Sequence, residues 1–145
     1  MLSVGTEAPH FSVKDHNGNT VSLKDFRGRK VVLWFYPRAD TPGCTMEGQG
    51  FRDEHKVFEE KAIAVLGISL DSEADNKAFA EKFSLPYPLL CDVDRRIALA
   101  YGAIKTPEDE HAARITYVID ENGKIAEAIS KVNTETHASD LCSRL

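Results

Sequence analysis

The longest unbroken apolar stretch of the chain is Val31, Val32, Leu33, Trp34, Phe35 and Tyr36. Such a run predicts a strand over 30–36 buried on both faces, at the middle of a sheet covered on each side. Pro37 ends it. A second apolar run predicts another buried strand over 62–70. Between them the spacing changes: Phe51, His55 and Phe58 stand at i, i+4 and i+7, so 45–60 reads as a helix. Ser72 followed by Asp75 resembles the start of a further helix with Phe79 and Phe83 on one face.

Shorter signals complete the pattern. Residues 11–15 and 20–23 read as two strands joined at Asn17-Gly18, a dipeptide that accepts positive φ. Pro86 and Pro88 bracket a segment through Leu89-Leu90 that predicts an edge strand. Asp92 or Asp94 caps a helix reaching Tyr101, which Gly102 stops. Residues 114–120, the Asn122-Gly123 turn and 124–131 form a second hairpin, and a short helix follows Thr134. Alternating strands and helices with a closing hairpin predict an α/β fold in three layers, helices on both sides of a mixed sheet.

Composition narrows the function. The chain has 145 residues, which fits one domain spanning 1–145. Its formal net charge of −5 argues against a nucleic-acid partner, which requires clustered positive charge. No apolar run approaches the ~20 residues of a membrane span. Met1-Leu2-Ser3-Val4 lacks the features of a signal peptide. The three cysteines, Cys44, Cys91 and Cys142, match neither a zinc site nor a disulfide framework. A reducing compartment, the cytoplasm, is therefore expected.

Chemistry concentrates in residues 37–45, Pro-Arg-Ala-Asp-Thr-Pro-Gly-Cys-Thr, between the central strand and the next helix. In open α/β sheets ligands gather at this strand end. Cys44 falls in the first helical turn, where unpaired N–H groups and the helix dipole favour thiolate, the reactive form. The Thr41 hydroxyl, three residues earlier, is expected close to that sulfur, and Pro42-Gly43 forms a tight turn. Taken alone, Cys44 reads equally well as an inert buried thiol. His10, His16, His55, His111 and His137 are scattered singly and read as surface or helix-face residues. The Trp34-Phe35-Tyr36 cluster reads as core, and Glu108-Asp109-Glu110 as a solvated loop. Glu47 either tunes the helix end or faces solvent; the sequence leaves both open.

The pattern Pro37-x-x-x-Thr41-x-x-Cys44 resembles the active-site motif of peroxiredoxins. The string from Phe35 through Cys44 to Phe51-Arg52-Asp53 is similar to their Q-type branch, the bacterioferritin comigratory protein group. Further matching motifs, in order, are Val4-Gly5-x-x-Ala8-Pro9-x-Phe11, Pro88-Leu89-Leu90-x-Asp92, Ala100-Tyr101-Gly102 and Arg114-x-Thr116-Tyr117-Val118-Ile119-Asp120. The resemblance implies a thioredoxin-like fold with an N-terminal β-hairpin. It assigns Cys44 as peroxidatic cysteine, Thr41 as the hydroxyl bonding peroxide oxygen, Pro37 as the pocket's shield and Arg114 as the distal arginine. In that fold the strand opening at Arg114 lies beside the strand ending at Tyr36, which brings guanidinium and thiolate together.

The resemblance thus implies a thiol-dependent peroxidase for hydrogen peroxide and alkyl hydroperoxides. It would need no cofactor, neither metal, haem nor nucleotide, and it would be recycled by a thioredoxin-like, glutaredoxin-like or small-molecule thiol. A monomer or weak homodimer is expected. The chain departs from many Q-type members at position 49, where Gln49 replaces a resolving cysteine. Cys91 and Cys142 remain candidates for that role, and a one-cysteine cycle is the favoured alternative. Gly48 and Gly50 predict a helix start that frays. Two rival functions stay open: a thiol–disulfide oxidoreductase or redox sensor, weakened because Thr41 stands where Cys-x-x-Cys needs its first cysteine, and a non-catalytic binding module.

Overall fold

The computed structural model describes residues 1–145. Its central strand is β3 (Val31–Phe35), every residue of it buried. Side chains alternate across a strand, so one such run can serve two cores. Val31, Leu33 and Phe35 join one apolar cluster with Ile97, Ala98 and Tyr101, while Val32 and Trp34 join another with Phe51, Phe58 and Leu141.

Around β3 the order is β5-β4-β3-β6-β7, with β4 (Ala64–Ser69), β5 (Leu89–Cys91), β6 (Ile115–Ile119) and β7 (Ile125–Ile129). The β3–β4 and β4–β5 pairs are parallel; β3–β6 and β6–β7 are antiparallel. The edge position of β5 agrees with the prolines before it. The small hairpin of β1 (Ser12–Lys14) and β2 (Thr20–Ser22) turns through Gly18 at φ 78°. This is the mixed-sheet, helix-flanked α/β architecture expected of a thioredoxin-like fold.

Four helices cover the sheet: α1 (Pro42–Glu60), α2 (Glu73–Phe83), α3 (Arg96–Ala100) and α4 (His137–Arg144). The Ser72 side chain caps α2 by accepting from the Asp75 N–H at 3.2 Å. Both aspartates proposed for the α3 start act there. Asp92 accepts from the Ile97 and Ala98 amides, and Asp94 from the Arg96 amide. One difference matters for the site: α1 begins at Pro42, three residues ahead of the predicted start at 45. Pro42 supplies the helical φ at a position whose N–H has no intrahelical partner, so the helix is nucleated early. Cys44 therefore lies within it.

Candidate active site

The loop leaving β3 is tied down at both ends. The Tyr36 amide still donates to Ile68 O at 3.0 Å, and the Ala39 amide donates to Asp71 Oδ2 at 2.8 Å. Ser69 Oγ donates to the same Asp71 oxygen at 2.7 Å, fixing the carboxylate. Asp40 takes a positive φ of 60°, which reverses the chain before Thr41. Thr41 is extended and its carbonyl accepts the first helical bond, from the Thr45 amide at 2.8 Å. The amides of Gly43 and Cys44 make no hydrogen bond within the chain, as a first turn requires. They are donors beside the sulfur.

Cys44 is fully buried at this turn. Arg114 reaches it from the residue just ahead of β6, the strand beside β3. Because Phe35 pairs with Ile115 in the antiparallel β3–β6 register, the residue before Ile115 is brought to the end of β3 where α1 starts. Arg114 Nη2 donates to Cys44 Sγ at 3.4 Å. The approach depends on Gly43: a Cβ there would stand 2.9 Å from Arg114 Nη2.

The Thr41 hydroxyl donates to Arg38 O at 2.7 Å and makes no hydrogen bond to Cys44 Sγ. Its oxygen lone pairs remain available. Pro37 is half-buried at the start of the loop.

Two residues complete the site. Glu47 follows Cys44 by three positions, so both share a helix face. Its side chain is fully buried, with Oε1 accepting from Arg114 Nη1 at 2.7 Å. Burial pushes the Glu47 carboxyl up to about 7, against the opposing pull of Arg114. Burial also works on Arg114 by disfavouring its charge, but Glu47 and Cys44 outweigh it and raise the guanidinium above its usual value. His137, the first residue of α4, corrects the reading of the histidines as surface or helix-face groups. It is 5% exposed, its Nε2 2.9 Å from Thr116 Oγ1 and 3.9 Å from Glu47 Oε2. Glu47 was open to discovery from its spacing to Cys44. His137 carried no local signal, because α4 meets α1 only through tertiary packing.

The other thiols lie apart from this cluster, and all three cysteines are unbridged. Cys91 Sγ accepts from Asn76 Nδ2 at 3.4 Å at the end of β5. Burial raises its thiol pKa, and burial with nearby Glu54 does the same at Cys142 in α4. Gly48 and Gly50, expected to loosen the helix start, sit in close packing. Added Cβ atoms would meet Trp34 and Tyr87 at 3.4 Å, and Ala138 at 3.3 Å. The Tyr87 hydroxyl also donates to Gly48 O at 2.7 Å.

Comparison with known proteins finds a family and relatives for the chain. Residues 4–128 match the model of the AhpC/TSA family. A chloroplastic peroxiredoxin Q of Gentiana triflora is 41% identical over 124 residues, covering 86% of this chain and 57% of its own length. The peroxiredoxin Bcp of Bacillus subtilis is 35% identical over 149 residues, covering 99% of this chain and 95% of its own. A bacterioferritin comigratory protein of Xanthomonas campestris, solved to explain its alkyl peroxide reduction activity, superposes with a TM-score of 0.88 at 26% identity. That match covers 97% of this chain and 96% of the other.

Proposed function

The chain belongs to the AhpC/TSA family and is a thiol-dependent peroxidase of the peroxiredoxin Q and Bcp kind; from that premise we propose that Cys44 is its peroxidatic sulfur and Arg114 the group that steadies it. The observation that carries this reading is the 3.4 Å approach of Arg114 Nη2 to Cys44 Sγ. In the reaction the Cys44 thiolate attacks one peroxide oxygen, an S–O bond forms and the O–O bond breaks. Negative charge grows on the departing oxygen. Donors already aimed at that place lower the barrier, since they bind the transition state more strongly than the ground state. Arg114 keeps its charge at any working pH. The unpaired amides of Gly43 and Cys44 add two more donors. Thr41, whose hydroxyl proton is given to Arg38 O, accepts a hydrogen bond from the peroxide O–H, and Pro37 closes the loop side of the pocket. The products are water or an alcohol and a Cys44 sulfenic acid.

The substrates proposed are hydrogen peroxide and alkyl hydroperoxides; the Xanthomonas relative's alkyl peroxide activity supports the second. The cycle uses one cysteine. Gln49 holds the position of the usual resolving thiol, and the raised pKa values of Cys91 and Cys142 make both poor attacking groups. A thioredoxin-like, glutaredoxin-like or small-molecule thiol then attacks the sulfenic acid, releasing water, and a second thiol frees Cys44. Three unbridged thiols fit a reducing compartment, the cytoplasm in this reading.

The test is intact mass after one equivalent of peroxide without reductant. Gain of one oxygen, mapped to Cys44 and absent in Cys44→Ser, is the expected result. Loss of two hydrogens would show an internal disulfide and replace the one-cysteine cycle. Peroxide turnover by Cys44→Ser would overturn the assignment.

A further inference from the structure

Behind the Arg114–Cys44 contact lies a buried carboxyl that the cycle above does not use. Glu47 Oε1 is held by Arg114, but Oε2 has no hydrogen-bond partner although it is fully buried. An ionised carboxylate is acceptor only, so this oxygen would carry charge with no donor to meet it. A proton on Oε2 turns it into a donor, and His137 Nε2 lies 3.9 Å away. The Arg114 cation thus stands between two groups that take negative charge, Cys44 and Glu47, touching one with each Nη. It neutralises one of them more completely when the other is uncharged.

We infer that Glu47 and His137 form a one-proton store, with the proton on Glu47 Oε2 facing His137 Nε2 while Cys44 is a thiolate, and given up when Cys44 becomes a sulfenic acid. The inference rests on Cys44 being the sulfur that peroxide oxidises. With the store, thiolate, neutral Glu47 and hydrogen peroxide become sulfenic acid, ionised Glu47 and water. Sulfur loses two electrons to the O–O bond, the carboxyl proton balances the hydroxide, and no proton is drawn from solvent. Without the store, the same oxidation takes one proton from solvent. Oxidation removes the negative charge on sulfur and frees Arg114 to hold the carboxylate, which is why the proton leaves at that moment.

The groups facing Glu47 are consistent with this. Arg114 comes from the start of β6 and Thr116 from β6 itself; His137 comes from α4, Tyr87 from the segment before β5, and Cys44 from the same helix. Burial holds Tyr87 neutral, far above its usual value. Burial, then Arg144, lowers His137 to about 4 against the pull of Asp140, so at neutral pH its imidazole is uncharged.

The experiment adds one equivalent of hydrogen peroxide to the reduced protein just below neutral pH, in weak buffer with an indicator dye. The native protein is expected to take up no net proton, and Glu47→Gln one proton per Cys44 oxidised. The infrared difference spectrum of the native protein should lose a protonated-carboxyl band on oxidation, absent in the variant. The His137 Nε2 resonance should shift on oxidation in the native protein only. Equal proton uptake by both proteins, or a carboxyl band that persists, overturns the store while leaving the peroxidase intact. Mass spectra without oxygen on Cys44 overturn the site assignment and the store together.

Discussion

Gly43→Ala isolates the Arg114–Cys44 contact without touching either residue. The new Cβ would lie 2.9 Å from Arg114 Nη2, 3.4 Å from Cζ and 3.9 Å from Thr134 Cγ2. Comfortable separation for such atoms begins near ~3.5 Å, so Nη2 must retreat by roughly 0.6 Å. It cannot swing far, because Nη1 is held by Glu47. Starting from 3.4 Å, that retreat carries Nη2 to the edge of bonding range from Sγ. At an effective dielectric near 20 the Coulomb loss is about 0.7 kcal/mol. Weakening a charge-assisted hydrogen bond adds about 1 kcal/mol. Together these predict a ten- to thirtyfold slower oxidation of Cys44, at about 1.4 kcal/mol per factor of ten. Folding should not suffer: the clash is with the tip of a flexible side chain, and Ala exceeds Gly in helices by up to ~1 kcal/mol.

The assay is single-turnover oxidation by hydrogen peroxide, quenched and read by intact mass, with thermal unfolding alongside. Gly43→Ala combined with Arg114→Ala should be no slower than Arg114→Ala alone, because the alanine acts only through the guanidinium. A native rate in Gly43→Ala, or additive losses in the double variant, would refute the reasoning.

Three further outcomes follow from the same geometry. Arg114→Ala should slow Cys44 oxidation by about 10²–10³, the usual loss when one preorganised donor is removed; Arg114→Lys should recover little, since one ammonium cannot reach both Glu47 and Cys44, and stopped-flow rates decide it. Glu47 has its folded pKa raised to about 7 from 4.5, so the stability it contributes is present in full below the unfolded value and is lost as pH rises through about 7, by roughly 3 kcal/mol. His137 acts in the opposite sense, its depressed value costing stability as pH falls toward about 4. Urea titrations of Glu47→Gln should lose the first dependence and keep the second. Gly67→Ala should destabilise by about 1–3 kcal/mol in thermal or urea unfolding, because its Cβ would stand 2.8 Å from Leu89 Cδ2 and 3.1 Å from Trp34 in a packed core.

The order of elements was legible in the chain because each carries its own period. Val31 to Tyr36 is a short apolar run rich in β-branched and aromatic residues, the content that favours a strand buried on both faces. Gly18, Gly102 and Gly123 all take the positive φ that marks their turns. Cys44 was legible too, since its place in a first helical turn follows from a strand, a proline and a helix in succession. Arg114 was legible only through the motifs around it. A lone arginine before a strand has no local signature, and its meeting with Cys44 depends on the β3–β6 register.

Glu47 and His137 mark the other limit. By itself the sequence determined the elements, the turn after the central strand and the sulfur within it, because those depend on neighbours a few residues apart. Whether Glu47 faces water or Arg114 was settled by α4 closing over α1, and His137 entered the site by the same packing. Burial, which sets the charge these groups carry, is a property of what surrounds them in space. Only the folded chain decided it.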